Sequence, residues 1–161
     1  FDFHLAFMHG RSTFRLTDEE RKQLRLYLQR GGMILADAVC ANRAFADSFR
    51  REFGNLLADH PLQPIPPDDP IFTSQYGGFD LQLVTRRDPQ PSNGNGKPEE
   101  TFRKVRPELE GIRVEDRWVV IFSPYDLSCA LERQQTIGCR GYSPEDAARI
   151  GINVLLYSLQ Q

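Results

Sequence analysis

Two spacings of apolar residues run through the chain. Residues 33–38 (MILADA) form a short run broken only by Asp37 near its end, as expected for a strand covered on both faces. Residues 3–8 (FHLAFM) read as a second strand, rich in aromatic and apolar positions, that ends at His9-Gly10-Arg11. Between them Leu24, Tyr27 and Leu28 recur at helical spacing, with Glu19, Arg21, Lys22, Arg25 and Gln29 on the solvated side. Thr17-Asp18-Glu19-Glu20 has capping-box spacing at that helix's start, and Gly31-Gly32 releases its end. Phe45, Phe49 and Phe53, spaced i, i+4, i+8, give a second helix, beginning near Asn42, one aromatic face. Strand, capped helix, strand, helix predicts parallel βαβ pairing with a right-handed crossover.

Downstream, residues 60–70 (HPLQPIPPDDP) carry too many prolines for helix or central strand. Asp68 and Asp69 there read as turn formers ahead of Pro70. Residues 79–86 (FDLQLVTR) alternate as a strand, and residues 87–100 (RDPQPSNGNGKPEE) have the composition of a flexible insertion, with a lid over the site as the other reading. Residues 111–114 and 117–122 predict a hairpin turning at Glu115-Asp116, its second arm an interior strand. Cys139 falls in a loop over residues 136–142. Ser143-Pro144-Glu145-Asp146 is a strong helix start. The last helix is expected to pack Ala148, Ile152, Leu155, Leu156 and Leu159 inward, with Gly151 allowing close approach to a neighbour.

The 161 residues, 40% apolar, fit one domain with one sizeable core. A formal charge of −2 gives no electrostatic reason to expect nucleic acid as a partner. No apolar run approaches the roughly 18 residues needed to span a bilayer. The compartment is open: periplasmic or secreted if a signal peptide precedes the segment, cytoplasmic otherwise.

Candidate chemistry gathers at the ends of the predicted parallel strands, where open α/β sheets place their ligands. His9 ends the first strand, Asp37 and Cys40 the second, Asp126 and Cys129 follow the interior strand, and Cys139 sits in its loop. Three readings of the cysteines stand together. Cys40, Cys129 and Cys139 could ligate zinc with His9 or an aspartate; two could form a disulfide; or all three could be reduced, buried hydrophobes. Asp37 at the end of a buried strand needs a partner, with Arg11, Arg43 or Arg140 as candidates, or else caps the helix near Asn42. His9 either hydrogen-bonds a neighbouring carboxylate or carbonyl, or acts as a base.

Five stretches in order carry a resemblance over nearly the whole chain: HGR after the first strand, EERKQLRLYLQRGGMILAD, LQPIPPDDPIF, LEGIRVEDRWVVIFSPYDLSC and AARIGINVLLYSL. Together they resemble the bacterial domain-of-unknown-function family 4159. The resemblance implies a flavodoxin-like parallel sheet flanked by helices, similar to class I glutamine-amidotransferase-like domains, with a further strand and helix ahead of the HG motif. It implies histidine where Asp69 stands. It also sets the amidotransferase nucleophile at Ala38 or Asp37, with Cys40 about two residues away, and Ser123-Pro124-Tyr125-Asp126 where a histidine should follow the later strand. A Cys-His-Glu triad therefore cannot be assembled.

The resulting expectation is a catalytically silent amidotransferase-like module. It would bind a small ligand or protein partner through His9, Arg11, Asp37, Asn42, Tyr125 and Asp126, without a cofactor unless zinc is held by Cys40, Cys129 and Cys139. The alternative is a cysteine- or metal-dependent hydrolase using Cys40 with His9, and Asp126 as a further catalytic candidate. A third reading is an assembly subunit, or a homo-oligomer, pairing through exposed strand edges.

Overall fold

The structure, a computed structural model, describes residues 3–90 and 100–160. Twelve elements are used below: β1 (Leu5–Gly10), α1 (Asp18–Gln29), β2 (Met33–Ala38), α2 (Arg43–Gly54), β3 (Leu62–Pro64), β4 (Val84–Arg87), β5 (Phe102–Val105), β6 (Glu110–Val114), β7 (Arg117–Ser123), α3 (Ser128–Leu131), β8 (Gly141–Tyr142) and α4 (Pro144–Ser158). A five-stranded sheet runs in the order β1-β2-β7-β6-β3, and a three-stranded sheet in the order β5-β4-β8.

The flavodoxin-like parallel sheet expected from the sequence is not what the chain adopts. β1, β2 and β7 are parallel, but β6 runs antiparallel to β7 and β3 antiparallel to β6, and every pairing in the second sheet is antiparallel. The reason is connection length. β6 and β7 are separated only by Glu115 and Asp116, and a two-residue link can join only antiparallel neighbours, whereas a parallel pair needs a crossover of about a dozen residues. The sheet is therefore mixed.

Local signals place the helices well. Thr17 and Glu20 close the capping box of α1, Gly31 beyond its end takes φ 93°, and Asn42 Oδ1 accepts the Phe45 N–H at the start of α2. Ser143 and Pro144 open α4.

β2 is buried along its whole length. Ile34, Ala36 and Ala38 face the cluster that contains Tyr27, Leu28, Phe45, Phe49 and Phe53, while Met33 and Leu35 face Trp118, Tyr142, Ile150, Val154 and Tyr157. Phe49, fully buried, stacks on Phe53 at 4.0 Å and on Phe122 at 4.3 Å between ring centroids. The expected aromatic stripe of α2 is thus the packing surface on one side of the sheet.

α4 covers the other side with a different face from the one expected. Ala147, Ile150, Val154 and Tyr157 are buried, whereas Ile152, Leu155 and Leu159 are 40%, 45% and 62% exposed. Polar groups with specific partners decide the rotation. The Tyr157 hydroxyl accepts the Trp118 N–H at 2.7 Å. Asn153 Nδ2 donates to the carbonyls of Ile71, Thr73 and Phe79, and its Oδ1 accepts the Phe79 N–H at 2.7 Å. Gly151 does not mediate close packing, because a Cβ there would meet nothing within 4 Å.

Three further expectations are corrected. Within residues 79–86 only Val84 onward pairs as β4; Leu81 instead donates its N–H to the Phe72 carbonyl, in the loop held by Asn153. Asp69 is more than a turn former, since its Oδ1 accepts the Ile71 N–H and its Oδ2 the Trp118 indole N–H at 2.9 Å. Residues 136–142 are not all loop, since Gly141–Tyr142 pair with β4. The insertion over residues 87–100 falls mostly on residues 91–99, outside the described residues.

Replacing Asn153 with alanine strands up to four backbone groups. We expect Asn153→Ala to lower the unfolding free energy by about 3 kcal/mol, measured by urea denaturation. A loss below about 1 kcal/mol would show that the 71–79 loop is held by something else.

Candidate functional site

The register of the three parallel strands sets His9 beside Asp37 and Asp37 beside Ser123 in one row at their C-terminal ends. The segments that leave these strands fold over the row. Asp37 is fully buried, and its Oδ2 accepts the N–H groups of Leu127 (3.0 Å) and Ser128 (3.2 Å) and the Ser128 hydroxyl (3.0 Å). Asp126, also fully buried, accepts the Cys40 N–H on Oδ1 (2.9 Å) and the Ala130 N–H on Oδ2 (3.0 Å). Each carboxylate thus satisfies backbone donors of the segment that follows the other's strand. Buried N–H groups outside regular structure need such partners.

The expected arginine partners of Asp37 do not serve. Its hydrogen bonds come from backbone and hydroxyl donors, while Arg140 pairs with Asp88 and Asn42, not Asp37, caps α2. Asp37 Oδ1 is buried and accepts no hydrogen bond among the described residues. Burial pushes its carboxyl above the ordinary range and the Asp126 charge adds to this, against the opposing effect of the three donors.

Cys40 and Cys139 are joined in a disulfide between residues 99 apart in sequence, so the second of the three cysteine readings is realised and Cys129 is left as a free thiol. Closing a loop of that length is worth about 4.7 kcal/mol at most in the chain-entropy model. The bond crosses a tight turn in which Cys40 and Ala41 both take left-handed φ, 53° and 57°, a conformation costing non-glycine residues about 1–2 kcal/mol each. Gly141, two residues beyond Cys139, lies against Asp126: a Cβ there would meet Asp126 Cβ at 2.4 Å and its carbonyl oxygen at 2.8 Å. Burial, then Asp126 through its charge and hydrogen bond, pushes the Cys129 thiol up to about 11, so it is a protonated, weakly nucleophilic sulfur at neutral pH.

A pocket of about 240 Å³ opens at this rim, lined by His9, Arg11, Ser128, Cys129, Glu132 and Gln134 among others. His9 is exposed and stacks on Phe7 at 5.7 Å. Of the residues singled out from sequence, the structure brings His9, Arg11 and Cys129 together here. Asp37 and Asp126 lie beneath as buried acceptors, Asn42 is spent on α2, and Tyr125 is covered by Arg86, whose guanidinium carbon stands 3.9 Å from the ring centroid. Ser128, Glu132 and Gln134 are not among the residues the sequence points to. Ser128 is adjacent to Cys129 in the Leu-Ser-Cys stretch, but nothing local announces its bond to Asp37. A larger cavity, about 500 Å³, lies at the other end of β7 against Leu28, His60 and Arg117. There Arg117 is spent on the carbonyls of Gly31 and Leu28.

Four possible metal-ligand atoms, one each from Cys40, Asp126, Cys129 and Cys139, lie within 4.8 Å of one another. Among the described residues no helix is long and apolar enough to cross a membrane.

Fold and rim together define a mixed-sheet α/β domain with a carboxylate and cysteine cluster at the ends of its parallel strands. The family model described as Domain of unknown function (DUF4159) matches residues 1–159, and the chain belongs to that family. No curated protein matches it.

The raised Asp37 carboxyl has a definite pH consequence. It holds its proton to higher pH in the native state than in the unfolded chain, where its ordinary value is 3.8. Its contribution to stability is therefore full below that value and is lost as pH rises through the native one. Urea midpoints taken from pH 3 to pH 8 should show this descending limb, and Asp37→Asn should flatten it; an unchanged slope in the variant would rule out Asp37 as its source.

Proposed function

We propose that this protein is a binding module whose site is the rim pocket, and that it takes a small polar ligand carrying an anionic group. Arg11 supplies a charged fork for a carboxylate or phosphate. His9 and Gln134 add polar contacts at the mouth, and Glu132 favours a ligand that also bears a positive group. The observation that carries the reading is the state of Cys40. The Cys40 sulfur, just past the end of β2, is bonded to Cys139, and the free Cys129 thiol is held protonated, while polar side chains still surround a pocket of about 240 Å³ beside them. Binding needs only that pocket. Nucleophilic catalysis would need a free thiolate with an imidazole in hydrogen-bond reach.

The reading is tested by proton NMR of the imidazoles during titration with sodium acetate, L-glutamate and inorganic phosphate. The His9 signal, assigned from a His9→Gln variant, should move saturably with at least one of them while His4 and His60 stay fixed. Loss of the Arg11 contact should weaken the binding about 10- to 100-fold in Arg11→Ala. No saturable shift with any of the three, or equal affinity in the variant, would overturn the proposal.

A further inference from the structure

We propose that reduction of the Cys40–Cys139 bond opens a four-donor site for a soft divalent cation such as Zn²⁺, formed by the sulfurs of Cys40, Cys129 and Cys139 and a carboxylate oxygen of Asp126. This does not depend on the pocket reading; it stands on the placement of the three cysteines.

The donors come from three segments that the fold already holds together. Cys40 lies in the turn after β2, Cys129 in α3 with Asp126 just before it, and Cys139 in the loop leading to β8. Their four ligand atoms lie within 4.8 Å of one another. Zinc–sulfur bonds of about 2.3 Å in a tetrahedron set sulfurs about 3.8 Å apart, so modest adjustments convert the oxidised cluster into a coordination shell. Asp126 and Cys139 are fully buried and Cys40 and Cys129 partly so, which makes a closed site of the structural kind. Three sulfurs to one oxygen select a soft ion over Mg²⁺ or Ca²⁺.

A second observation bears on the charge balance next to the cluster. Asp37, bound through its Oδ2 to the Leu127-Ser128 segment that carries Cys129 into the cluster, keeps Oδ1 buried without a hydrogen-bond donor among the described residues. A buried carboxylate oxygen with no donor is costly. A cation held by Asp126 would lower the cost of burying two carboxylates close together.

The chemistry balances in two steps. A dithiol reductant passes two electrons and two protons to the Cys40 and Cys139 sulfurs and closes into its own disulfide. The cation then forms three metal–sulfur bonds and one metal–oxygen bond as Cys40, Cys129 and Cys139 release three protons to solvent. The bound site carries a charge of −2, and Arg11, which shares a pocket with Cys129, faces it. Oxidation by a small-molecule disulfide reverses the process: it takes two electrons from the Cys40 and Cys139 sulfurs and two protons from solvent and leaves as two thiols, the Cys40–Cys139 bond re-forms, Cys129 regains its proton from solvent and the ion is expelled. The site is thus a redox-linked metal switch.

The test uses the full chain and Co²⁺ as a spectroscopic probe. A phosphine reduces the disulfide, its phosphorus taking an oxygen from water while the sulfurs gain the two hydrogens, and the excess is removed anaerobically before metal is added. Reduced protein titrated with Co²⁺ should develop a thiolate-to-cobalt charge-transfer band and tetrahedral d–d bands at one equivalent, both erased by Zn²⁺. Oxidised protein should show neither. Cys129→Ser, which leaves the disulfide pair intact, should weaken cobalt binding of the reduced protein at least about tenfold and reduce the charge-transfer intensity, and Asp126→Asn should weaken it similarly. Three results would each overturn the proposal: no charge-transfer band in reduced protein whose circular dichroism is native, cobalt affinity unchanged in Cys129→Ser, or unfolding on reduction that Zn²⁺ does not reverse. Transfer of the disulfide to Cys129, seen by peptide mapping of protein held partly reduced with Zn²⁺ present, would overturn it in favour of thiol exchange.

Discussion

Two buried carboxylates at the ends of adjacent parallel strands hold this structure's rim, each by accepting backbone hydrogen bonds from the segment that follows the other. Asp37 closes the β2 end and takes N–H groups from the chain beyond β7; Asp126 lies beyond β7 and takes the Cys40 N–H from the chain beyond β2. Neither bond set could form alone without leaving donors unpaired in a dry interior, which is costly. The exchange fixes two loops against each other and against the sheet.

The other rim features follow from that clamp. The Cys40 N–H can reach Asp126 because the turn after β2 enters the left-handed region at Cys40 and Ala41, and the hydrogen bond together with the Cys40–Cys139 bond offsets the strain. The 136–142 loop can return to Asp126 because Gly141 has no Cβ to collide with it. The same convergence brings three sulfurs and a carboxylate within 4.8 Å of one another and leaves a polar pocket against His9 and Arg11. A disulfide of this kind persists in oxidising surroundings and is lost in reducing ones, so the compartment decides which form of the cluster exists.

Much of this was legible in the chain. The capping box at Thr17, the cap at Asn42, the Ser143-Pro144 start, the aromatic face of α2 and the buried run of β2 are local signals, and the structure carries each. The row of His9, Asp37 and Ser123 follows from those strands being parallel. The antiparallel direction of β6 against β7 is legible too, since the hairpin expected at Glu115-Asp116 is present, and it is this hairpin that a fully parallel flavodoxin-like sheet cannot accommodate. The face of α4 does not follow from its aliphatic residues, because the hydrogen bonds of Asn153 to residues 71–79 and of Tyr157 to Trp118 decide which side turns inward. Such long-range polar partners leave no periodic trace. The Asp37 contacts span about ninety residues, and a cysteine pairing cannot be deduced from spacing alone.

The clamp is tested most directly by amide hydrogen exchange at four positions: Cys40, Leu127, Ser128 and Ala130. All four lie outside the strands, yet they should exchange as slowly as the amides of β2, and Asp126→Asn should release Cys40 and Ala130 ahead of Leu127 and Ser128. Exchange of the four at the rate of the exposed Glu115-Asp116 turn in the native protein would contradict it.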